Sequence, residues 1–587
     1  MLTPTRTINL LALLILPLVI VTSRQTVAAP REQPNPERHY ELYIPDSLDA
    51  ETLAPLLVVL HPMASSGRAM QAMTGFDAMA EAHGMIVLYP DSRGFAWDDG
   101  RSTRPRLPDS TADHDVEFIT SILEEVSEDF AVDADSIYLT GFAQGGVMAY
   151  RLACEVPERF AAVMVMDALL WDYQLDICPA PGAPLLILLV HGADDPFYAA
   201  EGRTIRDGAM PASQILSTRE TLDFWANWND CEAEPSYQEN ETVQLTTYDG
   251  CVADSSVALL SLEGVGHIWP RVGEYTLNQH GFDLTTFAMS YFMKAGWQAQ
   301  ALQTTVDRGV YGGTSRSYAL YVPPSYDPAA PTPLVMALHG RPSNSYGIAY
   351  LMDFNAVANE EGFIVVYPDG IDQGWNYVEG FPSYDYSEVD DVGFLRVLIS
   401  DLAVDLNIDQ SRIYVTGFSN GGFMTQRLAC DAPDTFAAFA IIGATLSPIF
   451  DEVCRDTPAV PILFMHGTDD QSVPWDGIIM DDTIVTLSVP DTVTFWVGHN
   501  DCSPNGVEAE DLPPGGDSPG TAVSVFRFGG CANDTRVDFY WIQGGGHNIP
   551  GVPGRLDAAR FGAVNMDIYA PQVIWSFFEA FALDDTP

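Results

Sequence analysis

Three side chains in the second half of the chain have the types and the order that acyl transfer needs: Ser419, Asp470 and His547. Ser419 lies in Gly417-Phe418-Ser419-Asn420-Gly421, a G-x-S-x-G pattern. Such flanking glycines let a chain turn sharply from strand to helix and lift the serine oxygen clear of the backbone. A serine hydroxyl is a weak nucleophile. It needs a base to take its proton and an acid to hold that base in one tautomer. His547, closing the run Gly544-Gly545-Gly546, has the chemistry of the base, and Asp470, closing His466-Gly467-Thr468-Asp469-Asp470, that of the acid. Asp469 is its rival. His339 and His466 each precede a glycine at the end of an apolar run and read as structural, His339 shaping the oxyanion loop. A tetrahedral intermediate carries a negative oxygen, which needs preorganised N–H donors. The backbone N–H groups of Asn420, next after the nucleophile, and of Arg341, after His339-Gly340, are the candidates. Trp375 and Trp475 are candidate walls of the substrate pocket, with plain packing as the alternative for each.

The first half repeats this pattern without its nucleophile. Residues 141–146 read GFAQGG against GFSNGG at 417–422, so Ala143 stands where Ser419 does. Further matches run through both halves: 42–62 with 320–340, 84–97 with 362–375, 136–154 with 412–430, 184–195 with 461–470, and 263–270 with 543–550. A repeat of roughly 270 residues is a whole domain, so a tandem duplication is expected. Asp195 and His267 occupy the acid and base positions of the first copy. Pro62 replaces the glycine after the oxyanion-loop histidine, and proline has no N–H to offer. This degenerate site is expected to be non-catalytic.

The elements that must position these residues are legible as short Val/Ile/Leu runs such as LLVVL, MIVLY, IYLTG and LILLV, alternating with helix-length amphipathic stretches. Strands buried on both faces and alternating with helices imply an α/β fold with a mainly parallel sheet. The segment Val389 to Leu406 has helical spacing and leads into the strand before the elbow, and Asp538 to Gln543 reads as the strand before the base. The loop Ser383 to Val389 is expected at the surface.

A formal net charge of −53, with Lys294 the one lysine, excludes nucleic acid as a partner, because phosphate binding needs clustered Lys and Arg. It fits a solvated surface, adapted to salt or merely kept soluble by charge. Arg6, an apolar run from Ile8 to Val21 and small residues at Val27 to Ala29 have the layout of a secretory signal peptide, residues 1–29. The run of about 14 residues is short of the roughly 20 that span a bilayer, so no stable membrane partner is expected; an uncleaved anchor is the alternative. The expected location is extracellular or periplasmic. Eight cysteines, four per copy and matched in place, support export and read as the pairs Cys154–Cys178, Cys231–Cys251, Cys430–Cys454 and Cys502–Cys531. No metal-ligand spacing is present, so no metal is expected.

Together LHG (338–340), GWN (374–376), VDDVGFL (389–395), GFSNGG, HGTDD with the following Val473-Pro474, and GGGH resemble the secreted esterases grouped with polyhydroxybutyrate depolymerases, feruloyl esterases and acetyl xylan esterases. The resemblance covers 306–583 closely and 38–296 more loosely, with a linker at 297–305 between them. It implies two tandem α/β-hydrolase domains, each a mainly parallel sheet flanked by helices. It also implies hydrolysis of small-molecule, polysaccharide or polyester esters with no cofactor, and Ser419 as nucleophile, Asp470 as acid and His547 as base. The family's H-T-W-P after the base is His547-Asn548-Ile549-Pro550 here. A peptidase on the same triad, or a binding or scaffold protein, are the alternative readings.

Overall fold

The computed structural model describes residues 38–583 apart from 49–51, 94–95, 101–113, 179–182, 206–212, 232–233, 271–281, 295–297, 299–315, 379–388, 481–482, 504, 515–519, 553–555 and 557. The expected signal peptide, the linker save Gln298, and the loop 383–388 lie outside the described residues.

The apolar runs form two sheets of nine strands with the same topology. Across the first sheet the strands begin at Tyr40, Ile86, Ala54, Val132, Ala162, Leu186, Ser256, Val243 and Ser236; across the second, at Tyr318, Ile364, Thr332, Ile408, Ala438, Ile462, Val537, Ala522 and Val507. In each sheet the six strands from the second to the seventh run parallel, and the outer ones antiparallel. Alternation along a strand sends successive side chains to opposite faces. In Thr332–Leu338, Leu334, Met336 and Leu338 enter one apolar core, and Val335 and Ala337 enter another on the far face. Helices cover both faces, as the parallel arrangement demands. The helix Asp391–Asp405 realises the amphipathic segment before the elbow strand, capped by the Asp390 carboxylate accepting from the Gly393 N–H at 2.8 Å. All four expected disulfides form, with Cα–Cα distances of 4.9, 3.8, 4.9 and 3.7 Å in chain order. Among the described residues no helix is long and apolar enough to cross a membrane.

The two halves pack together. The Ser65 and Ser66 hydroxyls donate to the carbonyls of Leu320 and Val322, at 2.6 and 2.7 Å, along the edge strand Tyr318–Tyr321. Ala69 and Ala64 enter the two cores of the second half. The opposite edges, Ser236–Glu239 and Val507–Asp511, are exposed at every residue.

Candidate active site

The strand Ile408–Phe418 pairs in parallel with Thr332–Leu338, and Gly417 faces Leu338. That register delivers Ser419 beside the chain leaving the neighbouring strand at His339-Gly340. Ser419 has φ 56° and ψ −117°, a conformation that side chains other than glycine rarely adopt, and the helix Asn420–Asp431 starts directly after it. Such strain costs on the order of 1–3 kcal/mol and persists only where packing enforces it. Here the packing is glycine-dependent. A Cβ on Gly417 would stand 2.2 Å from the Gly421 carbonyl oxygen, and one on Gly421 would stand 2.2 Å from that of Leu338. Ser419 is anchored through its N–H to the Ile442 carbonyl at 2.9 Å, and the residue keeps partial access to solvent.

His547 Nδ1 lies 2.6 Å from Asp470 Oδ2, with both residues at most 4% exposed. A carboxylate only accepts, so Nδ1 carries the proton and Nε2 keeps a free lone pair. The other oxygen, Asp470 Oδ1, accepts from the N–H groups of Ser472 and Val473, each at 2.8 Å, which pins the acid. Asp469 points outward and is exposed, so Asp470 is the residue brought to the histidine. The base loop and the elbow meet at Gly443, φ 60°, where a Cβ would stand 3.1 Å from His547 Cε1 and 3.3 Å from Phe418 Cε2. The Phe418 ring packs on His547 at 4.6 Å.

The other histidines are structural. His339 Nδ1 donates to the Gly340 carbonyl at 2.8 Å and Nε2 accepts from the Gly370 N–H at 2.9 Å; burial lowers its pKa and keeps it neutral. His466 Nε2 donates to Val473 O at 2.9 Å, bracing the loop that carries Asp470, and burial lowers its pKa too.

The loop after His339 runs along Ser419: a Cβ on Gly340 would stand 3.2 Å from Ser419 Cβ. Arg341 follows at this position, its aliphatic stem against Gly374. Asn420 is placed by an unexpected bond, its side-chain oxygen accepting from the Trp375 N–H at 2.7 Å. Trp375 is not an open wall. It is 2% exposed, donates from its indole to His339 O at 2.9 Å, and belongs to the core beneath the loop. Trp475 is half-buried, ring to ring with Trp541 at 5.6 Å and with His466 at 6.2 Å. The Asn548 amide that replaces the family's threonine donates to the carbonyls of Phe561 and Gly562, both at 3.0 Å, and so ties down a neighbouring segment.

The sequence profile of the family described as "Esterase PHB depolymerase" matches residues 38–195 and again 316–477, more than half of the chain. The chain belongs to that family. Feruloyl esterase C of Emericella nidulans is 29% identical over 288 residues, 47% of this chain and 89% of its own length. Feruloyl esterase D of Neurospora crassa is 27% identical over 282 residues, 46% of this chain and 83% of its own length. Among solved structures, the acetyl xylan esterase of Aspergillus awamori matches at 18% identity and a TM-score of 0.33, covering 44% of this chain and 96% of that one.

In this PHB depolymerase-family esterase the first half preserves the frame of the second, with Ala143 where the second has Ser419. Ala143 has φ 52° and ψ −121°, within a few degrees of Ser419, and takes the same backbone bond, to Met166 O at 2.9 Å. His267 Nδ1 donates to Asp195 Oδ2 at 2.8 Å, and Asp195 Oδ1 accepts from the Phe197 and Tyr198 N–H groups at 2.7 and 3.0 Å. Asp167, φ 49°, fills the position of Gly443. Its carboxylate accepts from the Gly192 N–H at 2.8 Å and the Ile268 N–H at 3.3 Å, and burial together with Asp195 pushes its pKa up. Asp167, His191 and Asp195 bring one ligand atom each within 4.8 Å of one another, the spacing of a possible cation cage, but both carboxylates are already engaged by backbone N–H groups. Asp167 was readable as a charged residue where the repeat has glycine. The Asn420 side-chain bond and the partner of His267 Nε2, described below, had no sequence signal, because both depend on contacts between distant segments.

Proposed function

We propose that this protein is a secreted serine esterase whose second domain, 306–583, hydrolyses carboxylic esters of feruloyl, acetyl-polysaccharide or hydroxyalkanoate type, while the first, 38–296, is non-catalytic. The observation that carries the reading is the Asp470–His547 bond of 2.6 Å beside a strained serine elbow. Ser419 attacks the ester carbonyl as His547 Nε2 takes its proton. The N–H groups of Asn420 and Arg341 hold the oxyanion. His547 returns the proton to the departing alcohol and then draws one from water; the hydroxide adds to the acyl carbon, the bond to Ser419 breaks, and His547 gives its proton back to Ser419 as the acid leaves. Asp470 holds the tautomer and stabilises the imidazolium. The activities of the feruloyl esterase relatives support the substrate class, and the disulfides and the amino-terminal layout support export.

The test is hydrolysis of short-chain p-nitrophenyl esters by the purified chain and by Ser419→Ala. The variant should lose on the order of a million-fold in turnover, as triad nucleophiles do. Retained activity in Ser419→Ala would move the site elsewhere. An inactive wild type that cleaves peptides would favour the peptidase reading.

A further inference from the structure

In the first half, the imidazole nitrogen that would take a serine proton has another partner. His267 Nε2 lies 3.1 Å from the hydroxyl of Tyr346, which belongs to the second half. With Nδ1 donating to Asp195, Nε2 is an acceptor, so the tyrosine donates. Ala143 brings no hydroxyl to compete for that nitrogen. Phe197 packs edge-on against both rings, at 4.8 Å from His267 and 5.5 Å from Tyr346, and Phe142 stacks on His267 at 4.8 Å. Burial raises the Tyr346 pKa well above its usual value, which keeps the hydroxyl a donor.

Tyr346 is the second residue of the helix Ser345–Met352, five residues after Arg341 in the loop alongside Ser419. The loop's far end is held from inside its own half, where Asp369 accepts from the Ser345 N–H at 2.6 Å and from its hydroxyl at 3.1 Å. His267 holds the next residue from outside. The contact is not a symmetric by-product of duplication. The equivalent residue of the first half is Arg68, at the second position of the helix Gly67–Thr74, and it pairs with Glu41 at 2.7 Å within its own half.

We propose that the degenerate Asp195–His267 site is retained as a socket that binds the Tyr346 hydroxyl and thereby positions the oxyanion loop of the second half. This rests on the reading of Ser419 as the catalytic nucleophile. Tyr346 and His267 are then positioning residues, and the first half contributes to turnover without touching substrate.

The test uses the full chain and two readouts. His267→Phe removes the acceptor and Tyr346→Phe removes only one oxygen. Amide hydrogen exchange, followed by mass spectrometry, should quicken over 340–352 in His267→Phe, although the substitution lies in the other half; this readout needs no activity. Turnover of a p-nitrophenyl ester should fall roughly fivefold in each variant, the weight of one neutral hydrogen bond, with KM little changed. The double variant should fall no further, because both substitutions remove the same bond. Unchanged exchange over 340–352 would overturn the socket. Quickened exchange with unchanged turnover, a loss in KM alone, or losses that multiply in the double variant would overturn the positioning role. A wild type without esterase activity would refute the catalytic reading and the positioning role together, leaving exchange to decide the socket.

Discussion

On the proposed mechanism, Gly443→Ala should slow turnover in the second half without unfolding it. The new Cβ would stand 3.1 Å from His547 Cε1, 3.2 Å from Nδ1 and 3.3 Å from Phe418 Cε2, so a neighbour must yield by a few tenths of an ångström. Phe418 is held by the elbow strand, and the His547 backbone by its N–H bond to Phe561 O at 2.6 Å. The freest response is a tilt of the imidazole, which stretches its 2.6 Å bond to Asp470 and moves Nε2 from where the proposed proton transfer needs it. Misplacement of about 1 Å costs on the order of a hundredfold, so a displacement of tenths should cost roughly three- to thirtyfold in kcat. The backbone at φ 60° adds ~1–2 kcal/mol of destabilisation, a few degrees in Tm. Gly520→Ala is the control: its φ is 87°, yet a Cβ there meets nothing within 4 Å. It should lose stability and keep kcat. The assay is kcat for p-nitrophenyl acetate alongside Tm for both variants. Wild-type kcat in Gly443→Ala, or an equal loss in Gly520→Ala, would refute this account of how the base is held.

Ala143→Ser should not create a second active centre, since Tyr346 already occupies His267 Nε2; one fluorophosphonate label per chain in an intact mass spectrum is the expected result, and two would contradict it. Asp91 should drain stability as pH rises. Burial lifts its pKa from 3.8 to about 7, so the stabilisation of its protonated form is complete below pH 3.8 and is lost as pH climbs through about 7. Asp91→Asn should flatten the denaturation midpoint between pH 4 and pH 8, and an unchanged slope would exclude the assignment. Cys430–Cys454 ties the end of the elbow helix to a residue 24 positions on, so Cys430→Ser with Cys454→Ser should cost ~3 kcal/mol in urea unfolding.

Much of this site was legible because its chemistry is carried by local patterns. The glycines at 417 and 421 announce the elbow, and each proves irreplaceable for a backbone contact. Matching the two copies exposed Ala143, Pro62 and the cysteine pairs. What local pattern does not carry is the direction a side chain faces. Trp375 sits in a motif beside Ser419 as a candidate wall with packing as the alternative, and packing holds: its indole turns inward to the His339 carbonyl and its ring joins the core. Adjacent Asp469 and Asp470 were distinguishable only once the turn after Gly467 placed one outward and one toward His547. Tyr346 lay beyond reach because its partner is contributed by the other copy.

Among the described residues, two of the four outer strands, Ser236–Glu239 and Val507–Asp511, are exposed throughout and give each sheet one open rim. Two valences are what a linear polymer needs, and backbone N–H and C=O groups along an open rim would accept another strand readily. The edge at Tyr318–Tyr321 is already sealed by the serines of the other half. On the open rim Glu508, Glu510 and Asp511 oppose any like rim that approaches. This colloidal barrier has a range set by the ionic atmosphere, about 8 Å in physiological salt and about 3 Å at 1 M. The acidity of the chain thus acts at its rims as protection against end-to-end growth, strongest in dilute solution and weakest where carboxylates are protonated or salt is concentrated.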